Sequence, residues 1–214
     1  NPSPHTARGV LLAIRAAWRF LSGTDDLQGL RVAVPGAGNV GAPLIHLLSE
    51  AGASVWVSDV NQIAIGRLQE ELPALQVVGT EDIYDLDVDV FAPCALGAVV
   101  NRETIPRLKV KLVCGAANNI LRDDEQDAQL LEQRGIAFVP DFLCNRMGIT
   151  NCADEWMGYL EEDVRLAVER VYPDTFRVLR YARQMGVTPL HAANELADIA
   201  ASELHPLFGH RGRR

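Results

Sequence analysis

Apolar residues recur at helical spacing from the start of the chain: Val10, Leu11, Ile14, Ala17, Trp18 and Leu21. Ser3-Pro4 supplies a start signal, since serine caps a helix and proline suits its first turn. Gly23 supplies the stop, so the pattern predicts a helix over 3–21. The period then changes. A short apolar run at 31–35 leads into glycines and then a helical pattern over 40–51. Residues 53–58 alternate as a strand and end at Asp59, and 61–72 reads as a helix again. Further strands are predicted at 76–78, weakly, and at 88–91, 110–114 and 136–139, with a helix at 123–134. Two long helical stretches close the chain, 162–185 and 189–204, the first broken or kinked at Pro173. Strand–helix alternation at this rhythm predicts an α/β fold, a parallel sheet covered by helices. No linker divides the 214 residues, so one domain over 1–214 is expected, with the first helix and the C-terminal helices appended.

The composition narrows the function classes. With 48% hydrophobic and 22% charged residues, the chain is neither a disordered segment nor a disulfide scaffold. A net charge of −8 gives no electrostatic footprint for nucleic acid or an anionic membrane surface. No run approaches the ~18 apolar residues of a membrane span. Cys94, Cys114, Cys144 and Cys152 lack CxxC spacing and the five histidines form no HxxxH or HExxH pattern, so no metal site is expected. Free thiols suit a reducing cytoplasm, the expected location. The chain opens Asn1-Pro2-Ser3-Pro4, without methionine or an apolar leader, and reads as part of something longer or as a processed chain. Only two lysines occur, Lys109 and Lys111.

The chemistry concentrates in Gly36-Ala37-Gly38-Asn39-Val40-Gly41, a G-x-G-x-x-G pattern between a strand and a helix. Gly36 permits a tight turn, Gly38 lets backbone approach a pyrophosphate, and Gly41 lets the helix pack close. The helix N-terminus then offers free N–H groups to phosphate. A purely structural turn is the competing reading. Asp59, 18 residues beyond Gly41, favours the first: a carboxylate at the next strand end accepts from ribose hydroxyls and repels a 2′-phosphate. With no lysine or arginine at 60–62, NAD is expected rather than NADP; Arg67 reads as a solvated helix residue. This sharpens the fold to a Rossmann-type, doubly wound sheet. Small residues and amides follow later strands at 92–97, 115–119 and 140–145, where such a sheet opens its ligand crevice.

These residues resemble a known family, the glutamate/leucine/phenylalanine/valine dehydrogenases, and within it the C-terminal dinucleotide-binding domain of the leucine/phenylalanine branch. The resemblance runs from Pro2 to the C-terminal helices. It is carried by residues 36–41, by Asp59-Val60-Asn61, by 91–101 (FAPCALGAVVN), by 115–119 (GAANN) and by 151–155 (NCADE). It implies oxidative deamination of an L-amino acid to a 2-oxo acid and ammonia with NAD as cofactor. It also implies roles. Thr6 bonds the nicotinamide carboxamide; Gly36, Gly38, Asn39, Val40 and Gly41 hold the pyrophosphate; Asp59 holds the adenine ribose. Ala95 and Leu96 line the cleft, Asn118 meets the nicotinamide ribose, and Val60, Cys94 and Ala117 complete the cofactor set. Asn145 faces the amino acid, and Cys152 lies where the glutamate-specific branch has a serine. A thiol there suits an apolar or aromatic substrate.

In this family an N-terminal domain carries the catalytic lysines and an aspartate. That domain is expected to precede Asn1, so no catalytic residue is expected within the chain, which binds NAD without turnover. Lys109 and Lys111 stand at a strand start, away from the strand ends where ligand binds. The full-length protein is expected to be a homo-oligomer. One segment departs from the family's Asn-Ala-Gly-Gly: here it is Asn145-Arg146-Met147-Gly148. Arg146 either faces solvent or enters the cleft to recognise a carboxylate as a planar fork. Asp154-Glu155 could suggest paired-carboxylate chemistry, but reads first as solvated or hinge-region charge near a helix start. The alternative function is a stand-alone NAD-binding sensor or remnant without catalysis.

Overall fold

A computed structural model describes residues 2–146 and 161–202 of the chain. Its centre is a six-stranded sheet of β1 (Arg31–Pro35), β2 (Ser54–Ser58), β3 (Gln76–Val77), β4 (Val90–Phe91), β5 (Leu112–Val113) and β6 (Ala137–Phe138). The strand order is β3-β2-β1-β4-β5-β6 and every pair is parallel. This is the doubly wound dinucleotide-binding order, with a topological switch between β1 and β4. The later strands are shorter than the apolar runs suggest. Ladder-like bonds still continue beyond them, such as Asp89 N–H to the Arg31 carbonyl and Cys114 N–H to the Phe91 carbonyl.

Both faces of the sheet are buried, as a parallel sheet requires. Val32, Val34, Val55, Val57, Val90 and Leu112 pack on one side with α1 (Ser3–Ser22), α2 (Gly41–Glu50), α3 (Gln62–Glu71) and α7 (Val171–Met185). Ala33, Phe91, Val113 and Phe138 turn to the other side, onto Ile83, Ile105, Ile120 and, in α4 (Asp124–Gln133), Leu131. Alternate residues of one strand thus serve two cores. The crossovers from β3 to β4 and from β4 to β5 carry only short 3-10 turns, Asp82–Tyr84 and Ile105–Arg107.

Several helix ends follow local side-chain chemistry. Asn61 caps α3 by accepting from the N–H groups of Ile63 and Ala64, and Asp123 caps α4 by accepting from Gln126. At α1 the sequence expectation is corrected: the N-cap is Pro2, with no side-chain capping bond, and Ser3 is already helical. The 162–185 stretch divides into α6 (Glu161–Glu169) and α7, which starts before Pro173. Proline has no N–H for the Glu169 carbonyl and its ring clashes there, so α6 stops where that carbonyl lies. The last helix, α8 (Pro189–Ser202), packs on α7. No described helix is long and apolar enough to cross a membrane.

Candidate functional site

The switch between β1 and β4 places two loops face to face. After β1 the chain turns at Gly36, whose φ is +113° and whose N–H donates to the Ser58 carbonyl at 2.8 Å. A side chain there would fall 2.7 Å from the Ala95 nitrogen, so the loop after β4 presses directly on this glycine. A side chain on Gly41 would collide with the Gly36 carbonyl and approach Cys94 Cβ at 3.2 Å. Gly38 differs, with nothing within 4 Å of its missing Cβ. Gly36 and Gly41 are therefore required by the protein's own packing, and Gly38 lies open to an approaching ligand. Asn39 is also exposed, and Val40 forms the N-cap of α2 without a side-chain bond. Among the described residues, the N–H groups of Gly38, Asn39 and Val40 are donated to no protein acceptor. A helix N-terminus with open backbone donors is suited to phosphate.

Asp59, just after β2, turns toward this loop. One carboxylate oxygen accepts the Ala37 N–H at 2.6 Å and the other accepts the Asn61 N–H at 2.8 Å. Each oxygen keeps a further lone pair for a hydroxyl donor. Beside it opens a cleft of about 370 Å³ lined by Gly36, Asp59, Val60, Ala95 and Leu96 among others. Val60 and Leu96 are 87% and 73% exposed, large apolar side chains held in water at the cleft rim. Arg67 is exposed on α3, as the sequence suggests.

The same cleft includes Thr80, Glu81, Tyr84 and Val99, which the sequence reading does not single out. Thr80 and Glu81 follow the end of β3, so the rule that ligands bind past strand ends would have found them. Tyr84 is fixed on its other side: Arg107 stands 5.1 Å over its ring and grips Asp85 at 2.8 and 3.0 Å. Burial, and then the Glu81 charge, push the Tyr84 phenol above its ordinary range, against the opposing pull of Arg107, so it is neutral near pH 7.

Cys94 and Ala117 have other placements. The Cys94 thiol turns back toward the Ala92 carbonyl at 3.4 Å, and burial raises it to about 12, so it is no nucleophile at neutral pH. Ala117 packs in the core, its N–H committed to the Pro93 carbonyl at 2.9 Å. Ala117 is thus buried behind its loop, whereas Cys94 is only partly buried. Thr6 is buried in the first turn of α1, its hydroxyl donating to the Pro2 carbonyl at 3.1 Å.

The loops after β5 and β6 meet through amides. Asn145, at the end of α5 (Asp141–Cys144), donates from Nδ2 to Asn118 Oδ1 at 2.8 Å and to the Ala116 carbonyl at 3.1 Å. The Asn119 N–H donates to an Asp141 carboxylate oxygen at 2.8 Å. The two asparagines proposed for neighbouring ligands are thus in direct contact. Arg146, partly exposed, pairs with Asp174 of α7 at 2.8 Å. Met147, Gly148, Cys152, Asp154 and Glu155 lie outside the described residues. Among the described residues, no group of histidine, cysteine or carboxylate side chains could hold a metal ion.

Comparison with known proteins agrees with this geometry. The sequence profile of the glutamate/leucine/phenylalanine/valine dehydrogenase family matches residues 57–201. A leucine dehydrogenase of Bacillus cereus is 41% identical over 95% of this chain and 55% of its own length. An L-tryptophan dehydrogenase of Nostoc punctiforme is 40% identical over 92% of this chain and 56% of its own. A crystal structure of L-tryptophan dehydrogenase from that organism superposes with a TM-score of 0.90 at 39% identity, covering 92% of this chain and 59% of that one. The chain spans about half the length of the relatives it matches. With its strand order, its glycine turn and the carboxylate behind that turn, the chain belongs to the glutamate/leucine/phenylalanine/valine dehydrogenase family.

Proposed function

We propose that the chain is the NAD-binding part of an amino-acid dehydrogenase that converts an apolar or aromatic L-amino acid to its 2-oxo acid and ammonia. The observation that carries this is Asp59: a carboxylate clasped to the Ala37 N–H, beside an open Gly38 and an apolar-rimmed cleft. The residues fit a dinucleotide. Gly38 leaves room for a pyrophosphate, the N–H groups of Gly38, Asn39 and Val40 can donate to it, and Asp59 can accept from a ribose. Val60, Ala95 and Leu96 would cover the adenine, and Thr6 and Asn118 would flank the nicotinamide end. Bound there, NAD supplies the hydride acceptor. The acidic side chain of Asp59 would disfavour a 2′-phosphate. The substrate class is supported by the leucine and tryptophan dehydrogenases among the relatives.

We infer that this chain alone binds NAD without turnover. A general base working near neutral pH could be a lysine tuned by burial. Lys111 precedes β5, bonded toward Asp89 at 3.5 Å, and Lys109 is exposed two residues earlier. Both are at the amino ends of the strands, across the sheet from the cleft. The longer enzyme is proposed to supply the base from outside this chain and to act as a homo-oligomer in the cytoplasm.

Titration of the chain with NAD and NADP tests the reading. NAD is expected to bind at least about tenfold tighter than NADP, the worth of charge-assisted bonds to ribose hydroxyls. Asp59→Ala should weaken NAD and erase the preference. Equal binding of the two cofactors by the unmutated chain would overturn the assignment, and amino-acid oxidation by the chain alone would overturn the inference of no turnover.

A further inference from the structure

We propose that Arg146 is a positioning residue. Through Asp174 it holds the loop after β6 so that Asn145 stays seated against Asn118. The consequence for catalysis rests on the reading above, in which Asn145 faces the amino acid.

Consecutive side chains grip opposite neighbours. Asn145 reaches the loop after β5, at Ala116 and Asn118. Arg146 reaches α7, with its guanidinium 2.8 Å from an Asp174 oxygen. The rest of the α5 segment is bonded toward the sheet loop. Asp141 accepts from the Asn119 N–H at 2.8 Å, and the Cys144 thiol donates to the Gly115 carbonyl at 3.1 Å. Arg146 adds a tie from the opposite side, and a loop held from both sides has one position rather than a range.

The anchor itself is well placed. Pro173 separates α6 from α7 and so puts Asp174 in the first turn of a new helix, its N–H bonded to the Arg170 carbonyl at 3.1 Å. The positive end of the helix dipole favours a carboxylate there. Helix α7 is in turn packed on α1 and buries Val171, Thr175, Val178 and Leu179, and α1 carries Thr6 in its first turn. The pair therefore ties the loop proposed to face substrate to the helix layer that begins at the proposed nicotinamide contact. The side chains are 29% and 41% exposed. An ion pair of that exposure adds little global stability, so its effect is local geometry. Arginine suits the task because its planar fork fixes direction as well as charge.

Amide hydrogen exchange on the chain, followed at Asn119 and Asn145 with Val34 of β1 as reference, tests the anchor. In Arg146→Ala and in Asp174→Ala, exchange at Asn119 and Asn145 should accelerate about fivefold while Val34 is unchanged. Arg146→Lys should fall between, and the swap of Arg146→Asp with Asp174→Arg should restore protection. Unchanged exchange at both asparagines overturns the proposal, as does equal acceleration at Val34, which would mean a general loss of stability. In the enzyme that contains this chain, Arg146→Ala should raise the amino-acid KM about fivefold at unchanged kcat and NAD affinity; an unchanged amino-acid KM overturns the catalytic consequence. An unmutated enzyme that oxidises no amino acid would instead sink the dehydrogenase reading, and the exchange result would still decide the anchor.

Discussion

At the amino ends of β1, β4 and β5, Asp89 is almost wholly buried and shares its oxygens with Arg31 and Lys111. The Arg31 backbone N–H and Nε both donate to it, and Lys111 rests 5.5 Å over the Trp18 ring. At the carboxyl ends of the same strands the picture reverses. There, backbone N–H groups at 38–40 are open, Val60 and Leu96 stand in water, and Ala98 and Asn119 hold φ values of +59° and +51°. One rim has matched its charges and covered its apolar groups. The other keeps donors, apolar surface and strain in reserve. Strained or unsatisfied groups persist only where surrounding structure holds them, and they concentrate where ligands bind. The contrast is the one expected if the ligand proposed above binds at the second rim and the first serves stability.

The comparison breaks if changes at either rim affect the wrong property. The largest effect is expected from Gly41→Ala, because the new methyl would overlap the Gly36 carbonyl. It should lower NAD affinity at least about 100-fold and cost about 3 kcal/mol of stability through overpacking. Cofactor titration and chemical denaturation measure the two. Retention of NAD binding by this variant would show that the turn is not the site.

Asp89→Ala should do the converse. It removes the acceptor of the Arg31 backbone N–H and Nε, leaving Arg31 only Asp87, and is expected to cost about 2 kcal/mol, with NAD affinity unchanged. Its pH dependence has a definite sign. Burial pushes the Asp89 carboxyl up, but the Arg31 hydrogen bonds and charge, with Lys111, outweigh it and hold the group below its ordinary range. A depressed carboxylate contributes fully above its unfolded value, near 4, and loses that contribution as pH falls through the lower folded value. Denaturation from pH 7 down to pH 2 should therefore show a steeper acid loss in the unmutated chain than in Asp89→Ala. Parallel curves would exclude Asp89 as a source of acid lability.

The smallest effect sharpens the idea of strain. Ala98 holds its positive φ with its N–H donated to the Asn119 carbonyl at 2.6 Å. Ala98→Gly relieves the left-handed penalty but adds backbone entropy to the unfolded chain, for a net gain of about 0.5 kcal/mol. A melting temperature raised by about 1–2 °C is expected. A lowered one would mean that the methyl packs usefully and the rim is less strained than its φ suggests.

Much of this was legible along the chain because the signals are local. A glycine turn between strand and helix, and a carboxylate at the next strand end, each act within a few residues of backbone, so Gly36, Gly41 and Asp59 could be placed by spacing. The cleft partner Tyr84 comes from a crossover without a regular helix, which leaves no periodic pattern to read. Ala117 follows a strand like the other cleft candidates, yet it packs into the core behind its loop. Strands β4 to β6 are shorter than the apolar runs that predict them, because apolar runs mark burial, not ladder pairing.

Two asparagines show where local reading ends. Asn118 and Asn145 could each be placed after a strand from sequence, but their 2.8 Å contact depends on β5 and β6 being neighbours in the sheet. Arg146 and Asp174 are 28 positions apart, and the packing of α7 on α1 and on α5 brings them together. The sequence by itself determined the element order, the glycine turn and the carboxylate behind it, because backbone conformation and hydrophobic period are set over a few residues. Tertiary structure alone decided which loops share a cleft, that the Cys114 and Cys144 thiols are buried, and that Arg146 meets Asp174. Those outcomes depend on distances between segments far apart along the chain, which strand order and helix packing impose.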